Sequence, residues 1–467
     1  MDETSGLPLA GGTDAATLAA CIRKLPRSSV LVVGDAMLDR YVYGAVTRVS
    51  REAPVPVLAV EREVAMPGGA GNVVRNLGAL GTAVAFVSVV GDDQAGSDLT
   101  GLIGSQPGVE PWLLVQGSRT TTQKTRLMAQ GQQLLRTDRE DTSPIHPKLA
   151  ERLLRIVRDA MAATSVTILS DYGKGVLAGA VPQQLIATAR QAGRRVIADI
   201  HDTDYARYAG ADVVMPTHHD LQRIAGERLT TDLAIEQAAG ELRAEYGFGA
   251  VLVTRDEDGM TLISADAPLH LRGEPSEIVD FAGTGDTTIA ALGAALAAGL
   301  PLATATRIAH LASLVVTGRT GMAVAREGDL LAAISPQGSA LRKIMNLEQA
   351  TTRTELWRRD GFRTALALGA FDRIGDAEAQ ALRHARGQCD RLVIGLDCDR
   401  PDHTQQPEAV RAAYLAALDC VDLVVMTDTR TPSDLLQALR PDLLVGKLNQ
   451  PGAELLSSWG GSLLAGA

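Results

Sequence analysis

The stretch Asp280-Phe281-Ala282-Gly283-Thr284-Gly285-Asp286-Thr287-Thr288 runs directly into Ile289-Ala290-Ala291-Leu292-Gly293-Ala294-Ala295-Leu296-Ala297-Ala298-Gly299. Two glycines bracket a threonine, an aspartate follows, and the spacing predicts an alanine-rich, apolar helix behind them. The free N–H groups of a first helical turn, together with the helix dipole, attract an anion. Gly283 and Gly285 let the backbone approach a phosphate with no Cβ in the way. Asp286 stands beside that cradle, where a carboxylate can take a proton from an attacking hydroxyl. The apolar helix would hold the turn rigid, as preorganised charge stabilisation requires. Read alone, the stretch is equally a plain helix entry, with Asp286 a first-turn acid favoured by the dipole.

Outward from this turn the pattern is α/β. Ser29–Asp35, Val84–Val90, Val166–Ser170, Arg195–Asp199, Ala211–Met215 and Ala250–Thr254 read as short buried strands. Helical periodicity over Leu149–Ala163 and Val181–Ala192 separates some of them, and Val55–Val60 reads as an edge strand because of its internal proline. Such alternation argues for a mostly parallel sheet covered on both faces. Ligands of such sheets gather at the carboxyl ends of the strands, where Asp35, Asp171, Asp199 and Arg255 fall. The pattern breaks at Ile334-Ser335-Pro336-Gln337-Gly338-Ser339. A second, smaller α/β series follows, with strands at Thr364–Leu368, Arg391–Leu396, Asp422–Met426 and Asp442–Val445. The expected organisation is an N-terminal extension over 1–27, a first domain over 28–336, a linker over 337–346 and a second domain over 347–467.

The 467 residues carry a net charge of -10, which gives no reason to expect a nucleic-acid partner. Cys21, Cys389, Cys398 and Cys420 lie far apart with no zinc or disulfide spacing, so reduced thiols are expected. The first twenty residues lack a basic start followed by an apolar run, and residues 289–300 are too short to span a bilayer. A cytoplasmic protein with no membrane partner is expected.

Asp280–Thr287 resembles the signature of the ribokinase-like sugar kinases, and Pro67-Gly68-Gly69-Ala70-Gly71-Asn72-Val73 resembles their sugar-binding glycine motif. The likeness narrows with Val33–Arg40, Arg48–Val57, Gln132–Arg136 and Leu169-Ser170-Asp171-Tyr172-Gly173-Lys174-Gly175. These resemble the kinase half of the bacterial heptose kinase/adenylyltransferases, over about residues 28–335. The resemblance implies a ribokinase-like domain with a mostly parallel central sheet, plus a smaller Rossmann-like nucleotidyltransferase-type α/β domain. It implies ATP and Mg2+ as cofactors, a sugar phosphate as substrate, and a homodimer. Asp286 would be the base for the anomeric hydroxyl of heptose 7-phosphate, with the amides of Ala282, Gly283, Thr284, Gly285 and Asp286 as the anion hole. Asp35, Asp39, Gly68, Gly69, Asn72 and Asp171 would surround the sugar, and Lys124, Arg126 and Arg136 its phosphate. Thr217, Asp220, Thr254, Arg255, Gly259, Gly318 and Gly321 would line the nucleotide side, with Asp220 the metal ligand.

Two departures stand in the first domain. Relatives carry Asp-Pro-Lys-Gly where this chain has Asp199-Ile200-His201-Asp202, removing a phosphate-facing lysine, and Asn-x-x-Glu where it has Thr217-His218-His219-Asp220. Slower catalysis or a changed sugar would follow. The second domain resembles the cytidylyltransferase-type nucleotidyltransferases, but their His-x-Gly-His is Gly375-Asp376-Ala377-Glu378 here. Their Lys-Gly-Gly-Asp is Gly446-Lys447-Leu448-Asn449, and no Ser/Thr-rich segment follows. Glu378 would repel a triphosphate that histidine attracts. The expectation is a sugar kinase with adenylyl transfer lost. The alternatives are a fully bifunctional enzyme, a kinase for another sugar, and a catalytically silent sugar-phosphate-binding protein.

Overall fold

A computed structural model describes residues 15–464 except 130–131, 202–203, 274–281, 320, 336–342, 360, 373, 398–406, 428–431 and 446–449. Asp280 and Phe281 of the opening stretch, Asp202, most of the expected linker and Gly446–Asn449 therefore lie outside the described residues. Two compact units form, one over Ala16–Leu330 and the other from Leu331 onward.

In the first unit the strands begin with β1 Ser29–Gly34, β2 Ala36–Val49, β3 Pro56–Gly69, β4 Ala83–Gly91 and β5 Val109–Gln116. They continue with β6 Gln123–Ala129, β7 Gln132–Arg139, β8 Val166–Asp171, β9 Arg195–Ile200 and β10 Val213–Val214. β11 Ala250–Thr254, β12 Met260–Ile263 and β13 Leu269–Leu271 complete it. The main sheet runs β13-β12-β11-β10-β9-β8-β1-β4-β5. Pairing is parallel from β11 through to β5, and antiparallel only where β12 and β13 close the edge. These central strands are Val/Ile/Leu runs buried on both faces, which is why they read as continuous rather than alternating. β1 lies between β4 and β8, so the strand order turns around it, and loops leaving β1 and β8 flank a topological switch point. Asp35 and Asp171 sit there.

A separate four-stranded sheet, β3-β2-β6-β7, was not legible as such. The expected edge strand at Val55–Val60 is part of β3, which continues to Gly69 as the sheet's edge. β2 and the inner part of β3 were missed because the two strands carry few buried residues beyond their inner ends, so no period-2 signal marks them. The inner ends carry Asp39 and Gly68, which lie two residues out of step across the ladder, Asp39 opposite Met66 and Gly68 opposite Met37.

The alanine-rich helix spans Thr284–Ala297, and Asp286 through Leu296 are buried. Gly293 allows its close approach to the sheet: a Cβ there would lie 2.6 Å from Ile168 Cδ1 of β8. On the other face, the helices Pro147–Met161 and Val181–Gln191 pack Leu153, Val157, Leu185 and Ile186 against Leu31, Val33 and Leu169.

The second unit contains β14 Ile344–Met345, β15 Thr364–Gly369, β16 Arg391–Asp397, β17 Leu423–Thr427, β18 Leu443–Val445 and β19 Ser462–Leu464. All pair in parallel, in the order β14-β17-β16-β15-β18-β19. Among the described residues no helix is long and apolar enough to cross a membrane.

Replacing Gly293 by Val should lower the unfolding free energy by about 1–3 kcal/mol through overpacking against Ile168. Urea unfolding measures this; an unchanged midpoint would mean that the helix does not press on β8 as described.

Candidate active site

The helix Thr284–Ala297 starts from Gly283, whose φ of 76° is a left-handed value that favours glycine. Thr287 N–H bonds back to the Gly283 carbonyl, and the amides before it belong to the first turn of the helix. Thr284 Oγ1 is buried with no hydrogen-bond partner, and a Cβ on Gly285 would meet nothing within 4 Å. An open first helical turn with, among the described residues, an orphaned hydroxyl suits a phosphate group.

Asp286 is only 6% exposed. Asn72 Nδ2 donates to its Oδ2 at 2.8 Å, and the Tyr172 hydroxyl donates to its Oδ1 at 2.6 Å. Burial pushes its carboxyl up to about 6, against the opposing pull of the Tyr172 and Asn72 hydrogen bonds. Asn72 lies in the helix Ala70–Ala79, which begins at Gly69 (φ 56°). A second tie joins the same two helices: Thr287 Oγ1 donates to Asn76 Oδ1 at 2.8 Å. Behind Asn72, Arg75 donates to its Oδ1 at 3.0 Å and to the Met322 carbonyl at 3.2 Å. That second bond brings the segment after Gly321 (φ 72°) to the site, while Gly318 ends the helix Leu302–Thr317.

Several expected sugar contacts have other roles. Asp35 accepts from Tyr172 N at 2.9 Å, Lys174 N at 3.0 Å and Val176 N at 3.0 Å. Its two oxygens thus hold the loop that carries Tyr172. Asp171 is turned inward too: it accepts from Gly173 N, the Tyr208 hydroxyl and Arg207. Burial, then the charge of Asp171, push Asp35 upward. Both bonding patterns have one physical cause: acids at the ends of β1 and β8 answer the amides of a tight loop.

Asp39 keeps an oxygen toward Gly68, where a Cβ would lie 1.9 Å from Oδ2, and pairs through Oδ1 with Arg126 at 2.6 Å. Arg126 is therefore a partner of Asp39. Lys124 and Arg136 both bond Asp138, at 2.8 and 3.0 Å, and Lys174 pairs with Glu140 at 2.8 Å. These cations form an ion-paired edge on β6 and β7.

On the side expected to hold the nucleotide, Thr217 and Thr254 meet in a single parallel bridge. Asp220 forms a capping box with Thr217: its Oδ2 accepts from Thr217 Oγ1 at 2.6 Å, and Oδ1 faces Arg223 at 3.7 Å. Its carboxylate is thus committed to starting the helix His218–Ala225. Among the described residues no group of three His, Cys, Asp or Glu is placed to hold a metal ion. The expected ligand Asp220 stands as a single carboxylate at the start of this helix. Arg255 is also corrected: its guanidinium turns back to Asp232 at 2.7 Å and Thr261 at 3.2 Å. Gly259, with φ 93°, shapes the turn between β11 and β12.

Three residues that sequence reading did not assign complete the site: Tyr172, Arg75 and His201. The His201 ring stacks on Tyr172 with centroids 4.1 Å apart, and its Nε2 lies 3.4 Å from Asp199 Oδ2. Tyr172 was in view within Leu169–Gly175, but nothing local shows that its hydroxyl reaches a residue 114 positions away.

In the second unit, Gly375 N–H donates to Glu378 Oε2 at 3.1 Å, so Glu378 caps the start of the helix Asp376–Arg386. The buried Arg411 donates to the Ala370 carbonyl at the end of β15.

The family model described as pfkB family carbohydrate kinase matches residues 27–327. A protein of Acidiphilium cryptum named "Bifunctional protein HldE" is 52% identical over 463 residues, covering 97% of this chain and 95% of that protein. One of the same name from Paramagnetospirillum magneticum is 44% identical over 467 residues, covering 97% and 96%. Among solved structures, Escherichia coli phosphofructokinase-2 in complex with potassium superposes with a TM-score of 0.55 at 19% identity, over 66% of this chain and 97% of that one. Arabidopsis thaliana ribokinase complexed with ribose and ATP gives 0.53 at 20% identity, over 66% and 99%. The likeness to these two is one of fold. With matches of this extent in sequence, the chain belongs to the pfkB family of carbohydrate kinases, among its heptose kinase/adenylyltransferase fusions.

Proposed function

We propose that the first unit transfers the γ-phosphoryl group of ATP to the anomeric hydroxyl of heptose 7-phosphate, giving heptose 1,7-bisphosphate and ADP. The observation that carries this is the buried Asp286 carboxylate beside an open helix start with an orphaned Thr284 hydroxyl. The hydroxyl oxygen bonds the γ-phosphorus as the bond from that phosphorus to the departing ADP oxygen breaks, and the hydroxyl proton passes to Asp286. The Ala282–Asp286 amides receive the charge of the transferring group. Asn72 and Tyr172 fix the carboxylate so that its attack geometry is set before substrate arrives. Asp39 and the backbone beside Gly68 and Gly69 are the proposed sugar contacts. Lys124, Lys174 and Arg136, now held by Asp138 and Glu140, are the cations within that edge to receive the sugar's own phosphate. Exposed Val49, Val60 and Leu135 on the four-stranded sheet support a homodimer.

The second unit has two readings. The shared name of the two relatives, each aligned across both units, favours the bifunctional alternative, in which adenylyl transfer is retained. Loss of that activity, the reading preferred from sequence, is supported by the absence of imidazoles at Gly375–Glu378 and by Glu378 occupying its own helix start. Incubation with ATP and heptose 1-phosphate separates them: ADP-heptose formation establishes the first reading, and its absence from an enzyme with active kinase establishes the second.

Asp286→Asn should slow ADP release with heptose 7-phosphate by about 10²–10⁴-fold, and undiminished turnover would mean another group is the base. Because the base must be ionised, the wild-type rate should fall as pH drops through about 6. Tyr172→Phe removes a hydrogen bond that favours the ionised form, so this acid limb should move to higher pH. A limb that stays in place in that variant would show that the Tyr172 hydroxyl does not govern Asp286.

A further inference from the structure

We infer that His201 is the phosphate-facing cation of this site, its imidazolium held between the Asp199 carboxylate and the Tyr172 ring where the transferring group passes Asp286. The inference rests on the kinase reading of Asp286 and adds to it the source of positive charge.

Geometry carries the argument. His201 leaves the end of β9, and its N–H bonds the Asp171 carbonyl at 3.0 Å, so its position is fixed from the backbone. Its ring covers Tyr172, the same residue whose hydroxyl bonds Asp286. Asp199 Oδ2 is buried and accepts no hydrogen bond, and the charge that answers it is His201 Nε2 at 3.4 Å. The neighbouring cations are committed elsewhere. Arg75 holds Asn72 and Met322, Lys174 holds Glu140, Arg207 holds Asp171 and Asp204, and Arg255 holds Asp232. His201 is looser, with 36% of its side chain exposed and an ion pair longer than a strong charge-assisted hydrogen bond.

The groups facing it are Asp199 on β9, Asp286 at the head of the Thr284–Ala297 helix, Asp220 at the head of the His218–Ala225 helix, and Tyr172 beneath its ring. Burial pulls the imidazole down, but Asp199, with Asp286 and Asp220 behind it, pushes it further up, to about 9. At neutral pH the ring is a cation among three acids. An incoming phosphoryl group meets that charge first, which offsets the repulsion Asp199 and Asp220 would exert on it.

The test pairs His201→Gln with the charge-restoring His201→Lys. The wild-type rate of ADP release should fall as pH rises through about 9, where the imidazolium is lost. His201→Gln should be slower by about a hundredfold at neutral pH, with that alkaline limb gone. His201→Lys should recover most of the rate and move the limb toward the lysine range near about 10.4. Independently, protein labelled with 13C-histidine should show one imidazole titrating near 9, absent in both variants. A His201→Gln enzyme with wild-type rate and an unmoved alkaline limb overturns the inference. An imidazole assigned to residue 201 that titrates at its ordinary position does so as well. If the wild-type chain turns over no sugar phosphate, the kinase reading fails, and the imidazole titration still decides whether His201 is a cation.

Discussion

The first unit is organised around the hydrogen bonds that let one carboxylate remain buried. Removing an ionised group from water costs several kcal/mol unless donors replace the lost hydration. Asp286 has two such donors, Asn72 and Tyr172, which lie 214 and 114 residues away in sequence. Meeting that need forces three segments to converge: the helix after β3, the loop after β8, and the head of the apolar helix. The Thr287–Asn76 bond repeats the tie one step along the same two helices. Apolar packing alone could let those helices slide; two directional bonds between buried side chains fix their register.

This convergence explains why so many acids stand at the strand ends and why they do different work. Asp35 and Asp171 are spent on a loop whose backbone N–H groups would otherwise be unpaired, and the product of that work is the placement of Tyr172. Asp39 is balanced by Arg126, and Asp220 by the helix it starts. Asp286 and Asp199 are the two whose charge is left to influence chemistry. One is poised at an open helix start, and the other is answered, among the described residues, across 3.4 Å by a partly exposed imidazole. The histidine read from sequence as the loss of a lysine thus stands where it can restore the charge.

Much of this was legible because it is local. The turn at Gly283–Asp286, the glycine run at Gly68–Asn72 and the parallel strands all carry their signal within a few residues, and the α/β fold followed from them. The loop-holding bonds of Asp35 and Asp171 and the turn of Arg255 toward Asp232 were not legible, because strand-end position says which residues are near a site but not which way a carboxylate or guanidinium turns. That choice is set by unpaired backbone amides and by distant partners such as Asp232. The contact between Tyr172 and His201 was not legible for the same reason, since a ring stacked across two strand ends leaves no periodic trace. The four-stranded sheet was missed because its strands are largely solvated, and solvated strands lack the alternation that marks a half-buried one.

The second unit poses the remaining problem as a comparison of magnitudes. Glu378 caps its helix through one bond of 3.1 Å on an exposed surface, an interaction in the range of about 0.5–2 kcal/mol for a helix cap. A nucleotide triphosphate binding with micromolar affinity gains about 8 kcal/mol, so it could displace that cap and still bind. The cap therefore cannot by itself exclude adenylyl transfer. What the segment Gly375–Glu378 lacks matters more: with no imidazole there, transition-state charge has no side-chain donor from that turn, and such donors are worth about 10²–10³ in rate. Retained activity therefore requires a donor from another element of the second unit. Arg411, buried and reaching the carbonyl at the end of β15, is a described cation of this unit with a fixed position. The two readings of this unit thus reduce to one physical question, whether a guanidinium behind the strand end can do what an imidazole at the helix start no longer does.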